Sequence, residues 1–334
     1  MKKIINIGLI GAGYWGKNIL NVLKKKKNLD IHIYDTNKSI KKHRLFKGTK
    51  IYFKFNEFIN KDIDLLFVAV PTSQHFNIVN KVINYNKFKR NKVKSIFVEK
   101  PFCENADQLK KLIEKNKTHK IDFMIGYIYR FNNKINYIKN LINLRKRNNT
   151  NQLKNILIER SNLGPVRTDV SCVWDLTSHD ISIVDYILGG RINVTTSFLS
   201  NFFDNKIADM ATVFLKNKNI NIEIKSSWIS AEKVRKFTFL FEKDMIVFDE
   251  IKKNNQICIY KKYAKINPKN PKEVVIRDTS RIYPKISGAQ PLDNEIEYFI
   301  NCFVNNKKII PDINYAYKIT KILEIVEKKQ FKIH

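Results

Sequence analysis

An apolar, β-branched run at residues 4–10 is followed by a glycine-rich turn. A segment then places Trp15, Ile19, Leu20, Val22 and Leu23 near a helical period. The alternation continues. LDIHIYDTN predicts a second strand ending at Asp35, and residues 65–70, 95–100 and 123–127 predict further strands. Helical runs at 75–83 and 106–115 separate them. Strands alternating with helices imply a doubly wound parallel sheet. From about Gln152 the pattern changes: one helical stretch, 174–188, precedes the short runs NVTTSFLS, MATVFLK, NIEIKSSWIS, KFTFLFEK, MIVFDE and QICIY. Such runs predict an antiparallel sheet covered on one face. Two helices, at about 292–305 and 314–328, close the chain. The expected architecture is α/β: a parallel sheet, then an α/β domain with a large, mostly antiparallel open sheet. The boundary is expected near residue 120, dividing the chain into 1–120 and 121–334, with the crossover around Arg130 shared.

The first turn reads Gly11-Ala12-Gly13-Tyr14-Trp15-Gly16, a GxGxxG between a strand and a helix. Gly11 permits the tight turn, Gly13 lets a pyrophosphate approach the backbone, and Gly16 lets helix and strand pack closely. The phosphates then face a helix N-terminus, where free N–H groups favour negative charge. Asp35 ends the second strand at about the spacing expected of the acid that holds the adenosine ribose, with Thr36 beside it. A ribose phosphate would be repelled by Asp35, which favours NAD over NADP, although Lys38, Lys41 and Lys42 stand close enough to rescue NADP. Without a nucleotide, the same residues read as a glycine turn and an N-capping aspartate.

At 334 residues the chain has length for two domains, and 43% of it is apolar. No apolar run approaches the roughly 18 residues of a membrane span, and the N-terminus lacks a signal-peptide cleavage pattern. Cys103, Cys172, Cys258 and Cys302 are far apart, which fits a reducing cytoplasm and neither zinc nor a disulfide framework. The formal charge of +31 would suit nucleic acid or an anionic surface. The lysines are dispersed, however, and are over-used together with isoleucine and asparagine, as an AT-rich coding sequence imposes. The expectation is therefore no nucleic acid and no membrane partner.

Three stretches carry candidate chemistry: VAVPTSQH, VEKPF and WDLTSHDI. Val70 and Pro71 end a strand whose loop would lie over the nucleotide, and His75 begins the next helix as a structural histidine bordering that pocket. Glu99 and Lys100 end another strand. Lys100 suits stabilising a developing alkoxide, or else makes a surface ion pair. In a helix, Asp175 and His179 at i and i+4 share a face, as a tuned proton-transfer pair or as a polar helix start. With six histidines in the chain and no evident third ligand, no metal site is expected.

Taken in order, GxGxWGxN at 11–18, P-T-x-x-H at 71–75, E-K-P at 99–101 and W-D-L-x-x-H-D-I at 174–181 resemble the Gfo/Idh/MocA oxidoreductases. The C-terminal run from QPLDNEIEYF onward does too, so the resemblance spans nearly the whole chain. It implies a Rossmann domain, then a domain whose open sheet often forms a dimer or tetramer interface. It also implies hydride transfer between a nicotinamide and a carbinol carbon of a sugar or cyclitol. Lys100 would contact the substrate hydroxyl and nicotinamide ribose, His179 would transfer the proton with Asp175 as partner, and Glu99 would belong to the cofactor pocket. Tyr127, Arg130, Asn162 and Arg167 are candidates for the substrate. Arg167 either binds a phosphate or carboxylate, or pairs with Asp169. The arrangement resembles members acting on amino-sugars or nucleotide-linked sugars more than the inositol enzymes. A cofactor-binding regulator of the same fold is the alternative.

Overall fold

The computed structural model describes residues 4–87, 93–203 and 207–329. The chain divides into two compact units. One comprises Met1–Phe131 with Ala289–Lys321, the other Asn132–Gly288 with Ile322–His334.

The first unit is built on six parallel strands in the order β3-β2-β1-β4-β5-β6. They are β1 (Ile5–Ile10), β2 (Leu29–Tyr34), β3 (Lys50–Tyr52), β4 (Leu65–Val68), β5 (Ser95–Val98) and β6 (Asp122–Ile125). Helices α1 (Tyr14–Leu23), α2 (Phe55–Ile59), α3 (Thr72–Asn86) and α4 (Ala106–His119) fall between them. Every residue of β4 and β5 is buried, as expected of strands sandwiched on both faces. This order reverses at β1 and β4, so a crevice opens beyond their carboxyl ends.

Helix α7 (Pro291–Val304), which follows later in the chain, also packs here. Its apolar residues Ile296, Phe299 and Ile300 join the core with Leu9, Leu20 and Phe67, and Phe299 lies edge-on to Phe67 at 5.3 Å. The expected boundary at 120 is therefore displaced. β6 completes the first sheet, and the segment Ala289–Lys321 returns to it. An amphipathic stripe shows that a helix packs, but not on which sheet.

The second unit contains α5 (Asn133–Arg147), β7 (Leu153–Leu163), a π-helical turn at Val173–Thr177 and α6 (Ser178–Leu188). Strands β8 (Asn193–Ser200), β9 (Met210–Asn217), β10 (Ile220–Ser227), β11 (Ile229–Phe241), β12 (Met245–Asp249), β13 (Ile257–Asn267) and β14 (Asn270–Ile282) follow. The final helices are α7 (Pro291–Val304) and α8 (Ile313–Lys328). The eight-stranded sheet runs β14-β13-β12-β11-β7-β10-β9-β8. It is antiparallel except where β7 pairs parallel with β10, with Ile156 beside Ile222 and Ile158 beside Ile224. Along β7, Ile156, Ile158 and Arg160 are buried while Leu157 and Glu159 are exposed, so the sheet has one covered and one open face. No helix among the described residues is long and apolar enough to cross a membrane.

Candidate active site

The glycine turn gives each of its three glycines a different task. Gly11 has a φ of +93°, and a Cβ there would stand 2.5 Å from the carbonyl oxygen of Ala69. A Cβ on Gly16 would come within 1.9 Å of the Gly11 oxygen, so α1 packs against its own turn only with glycine there. Around Gly13 a Cβ would meet nothing within 4 Å. That open approach at the start of α1 fits a pyrophosphate. Asp35 closes the turn from the side. It accepts the Ala12 N–H at 2.6 Å and the Asn37 N–H at 2.7 Å.

A cavity of about 340 Å³ brings together Gly11, Gly13, Asp35, Thr36, Val70 and Pro71 from the sequence-based set. It adds Gln74, Ile78 and Lys81, one stripe of α3 at i, i+4 and i+7, and the ring of Phe55, which meets Tyr34 edge-on at 5.7 Å. The stripe was legible in the spacing after Pro71. Phe55 follows a strand too short to announce itself. Ala12, Tyr14, Trp15 and Gly16 do not line this cavity. Tyr14 and Trp15 pack edge-to-face beside it, both exposed.

His75 takes a structural place beside the cofactor set. Its ring is buried and lies outside the cavity lining. Nε2 faces the Val70 carbonyl at 2.9 Å, and Nδ1 faces those of Pro101 and Phe102 at 3.0 and 3.2 Å. It braces the loop after β4 against the loop after β5. Those loops carry Pro71 and Lys100 at the carboxyl end of the sheet.

Glu99 is buried at the end of β5, and Gly126 makes room for it: a Cβ at Gly126 would lie 3.0 Å from Glu99 Oε2. Burial pushes the Glu99 carboxyl up to about 7, against the pull of the Lys100 ammonium. Glu295 on α7, which the sequence did not single out, is buried as well. Its carboxyl is held far above the usual range by burial and by Glu99. Tyr127 is also buried, edge-on to Tyr315, and the Arg130 guanidinium lies 4.8 Å from the centre of the same ring. Both residues pack the turn after β6 onto α8.

In the second unit every residue from Val170 to Asp185 is buried except Asp175 and His179. The expected shared face is thus present, although Asp175 lies in the π-helical turn and His179 in α6. Such a wide turn is a common device at functional sites. Arg167 makes a forked pair with Asp169, at 2.8 and 2.5 Å, and reaches Asp175 Oδ1 at 3.3 Å. The paired reading of Arg167 is therefore the one observed. Asp169 lies below the usual carboxylate range because Arg167 donates to it. Asn162 donates within its own segment, to the Gly164 carbonyl at 2.5 Å. Asp180, missed in the sequence, forms a fully buried forked ion pair with Arg160 of β7, at 2.6 to 3.1 Å, anchoring α6 beneath His179.

Residues 5–127 match the model of the Gfo/Idh/MocA oxidoreductases, described as an NAD-binding Rossmann fold. Over those residues the chain is similar to that family. An uncharacterized oxidoreductase of Streptococcus pneumoniae is 24% identical over 141 residues, and the chain spans 36% of that relative's length. The UDP-N-acetylglucosamine 3-dehydrogenase of Acidithiobacillus ferrooxidans is 22% identical over 256 residues, covering 75% of this chain and 74% of that one. Its solved structure superposes with a TM-score of 0.76 at 18% identity, over 98% of this chain and 97% of that one. KijD10, a 3-ketoreductase from Actinomadura kijaniata solved with TDP-benzene and NADP, superposes with a TM-score of 0.80 at 10% identity, over 99% of both chains. Across nearly the full length these likenesses establish the fold.

Proposed function

We propose that the chain is an NAD(P)-dependent oxidoreductase acting on a hydroxyl-bearing carbon of a sugar, with a nucleotide-linked sugar as the preferred class. The observation that carries the reading is the cavity joining Gly11, Gly13 and Asp35, open where a pyrophosphate would lie. Gly13 and the start of α1 would hold the pyrophosphate, and Asp35 the adenosine ribose. The nicotinamide supplies hydride exchange when bound. Asp35 supports NAD before NADP. The Lys100 ammonium would steady the substrate oxygen, and the imidazole of His179, with Asp175 beside it, would accept or return the hydroxyl proton. The sugar class follows from the resemblance of the motifs and from relatives described as acting on UDP-N-acetylglucosamine or as 3-ketoreductases. We place the protein in the cytoplasm, as a homo-oligomer formed through the open sheet face around Leu157 and Phe214, where a shallow groove runs.

The test is a titration of the purified protein with NADH and NADPH, followed by a panel of nucleotide-linked and free sugars read at the reduced-nicotinamide absorbance. Wild type should bind NADH more tightly and turn over one substrate, while Lys100→Ala and His179→Ala bind nucleotide and stall. Failure to bind either nucleotide would refute the reading. Binding with silence across the panel, and no response to any sugar by the two variants, would point to a regulator.

A further inference from the structure

β14 is the outermost strand of the second unit's sheet, and no strand among the described residues lies beyond it. An open edge is a template for another chain. The middle of this strand reads Lys272-Glu273-Val274-Val275-Ile276-Arg277-Asp278. Charge runs plus, minus, three apolar positions, plus, minus. Laid antiparallel against itself about Val275, the segment is complementary at every position. Lys272 meets the second copy's Asp278, Glu273 meets Arg277, Val274 meets Ile276, and Val275 meets itself. A slip of one residue sets Lys272 opposite Arg277, or Glu273 opposite Asp278. A slip of two loses all the ion pairs. One register is therefore singled out by charge, as cross-strand pairing requires. Lys269, which would approach Arg281, lies in the turn before the strand.

The hairpin is built to present this edge. Its ladder is regular from Lys262–Asp278 to Ile266–Val274, between two irregularities. Val274 and Ile276 are 62% and 68% exposed, and Ile266, opposite Val274, is 62% exposed on the same face. Within the chain Asp278 pairs with Lys262 at 2.7 Å, and Glu273 accepts from Asn267 at 2.6 Å. Both contacts are exposed, and each carboxylate has a second oxygen for a cation across the edge. We propose that β14 is a self-complementary edge through which two copies of this chain pair antiparallel about Val275, joining their sheets into one.

Val275→Cys tests this directly, because the four native cysteines are buried. Under mild oxidation or with a short bismaleimide, Val275→Cys should form a covalent dimer about tenfold faster than the exposed loop control Lys253→Cys. Adding Glu273→Arg sets Arg against Arg twice and should slow trapping by about tenfold. Arg277→Glu should do the same, and the two reversals together should restore the rate. Thermal melting confirms that each variant is folded. Trapping of Val275→Cys no faster than the control overturns the proposal. So does a double reversal that traps no better than either single one while melting like wild type. Should a single reversal fail to fold, the comparison of Val275→Cys with Lys253→Cys decides alone.

Discussion

Gly13 and Gly16 lie in one turn of chain, yet their replacement has opposite consequences. A Cβ on Gly13 meets nothing within 4 Å, so Gly13→Val should leave the melting temperature near wild type and cut NADH affinity by at least about tenfold, since it fills the phosphate approach. Gly16→Ala drives a methyl into the Gly11 carbonyl and should lower the melting temperature, with binding lost as a consequence. Parallel NADH titrations and melting curves separate the two. If Gly13→Val binds normally, the cavity is not the nucleotide site. Glu99 makes a prediction about pH. Its carboxyl is raised by burial to about 7, so between the ordinary carboxylate range and that value the folded chain holds a proton the unfolded chain has released. Stability must then fall as pH rises through this window, by about 3 kcal/mol for a shift of this size. Glu295, raised in the same direction, adds to the slope. Urea unfolding at about pH 5 and about pH 8 should show the decline, and Glu99→Gln should reduce it. An unchanged slope in Glu99→Gln would mean that Glu99 is ionised throughout.

At the scale of elements, the pair that joins α6 to β7 governs whether the Asp175–His179 face exists. Arg160 and Asp180 are both fully buried, so removing one partner takes a counter-charge from the other inside the core. Asp180→Asn should cost about 3–5 kcal/mol in chemical denaturation, and Arg160→Met with Asp180→Leu should recover most of it. A loss below about 1 kcal/mol would show that water reaches the pair. Asp180 stood in the sequence within S-H-D-I, but a buried aspartate is invisible until its arginine is known, and Arg160 lay in a stretch for which no strand was expected. That omission is physical. ERSNL continues β7, whose charged residues suggest exposure, yet Arg160 points to the covered face and Glu159 to the open one. The parallel units were easier, because doubly buried strands such as LLFV read as apolar runs without ambiguity. β14 escaped for the opposite reason. Nearly every residue in it is exposed, so it lacks the alternation that marks a half-buried strand.

For the whole molecule the dominant fact is a charge of +31 on 334 residues. Placed ion pairs such as Lys50–Asp30 at 2.6 Å and Lys94–Asp64 at 3.0 Å hold some of the lysines, and salt weakens these. With 62 cationic against 31 anionic side chains, one-to-one pairing leaves half of the cations in excess, and salt relieves their mutual repulsion. The two effects oppose each other, and the composition decides which is larger. Raising sodium chloride from about 10 mM to about 300 mM, which shortens the screening length from about 30 Å to well under 10 Å, should therefore raise the melting temperature. The same titration separates a compositional charge from a functional one. Dispersed lysines should retain a polyanion column weakly and without preference, and release it early in the salt series. A nucleic-acid site would hold on with a steep logarithmic dependence on salt. A melting temperature that falls as salt rises would mean the ion pairs outweigh the repulsion. The excess lysine would then be arranged on the surface by selection, and base composition would no longer account for it.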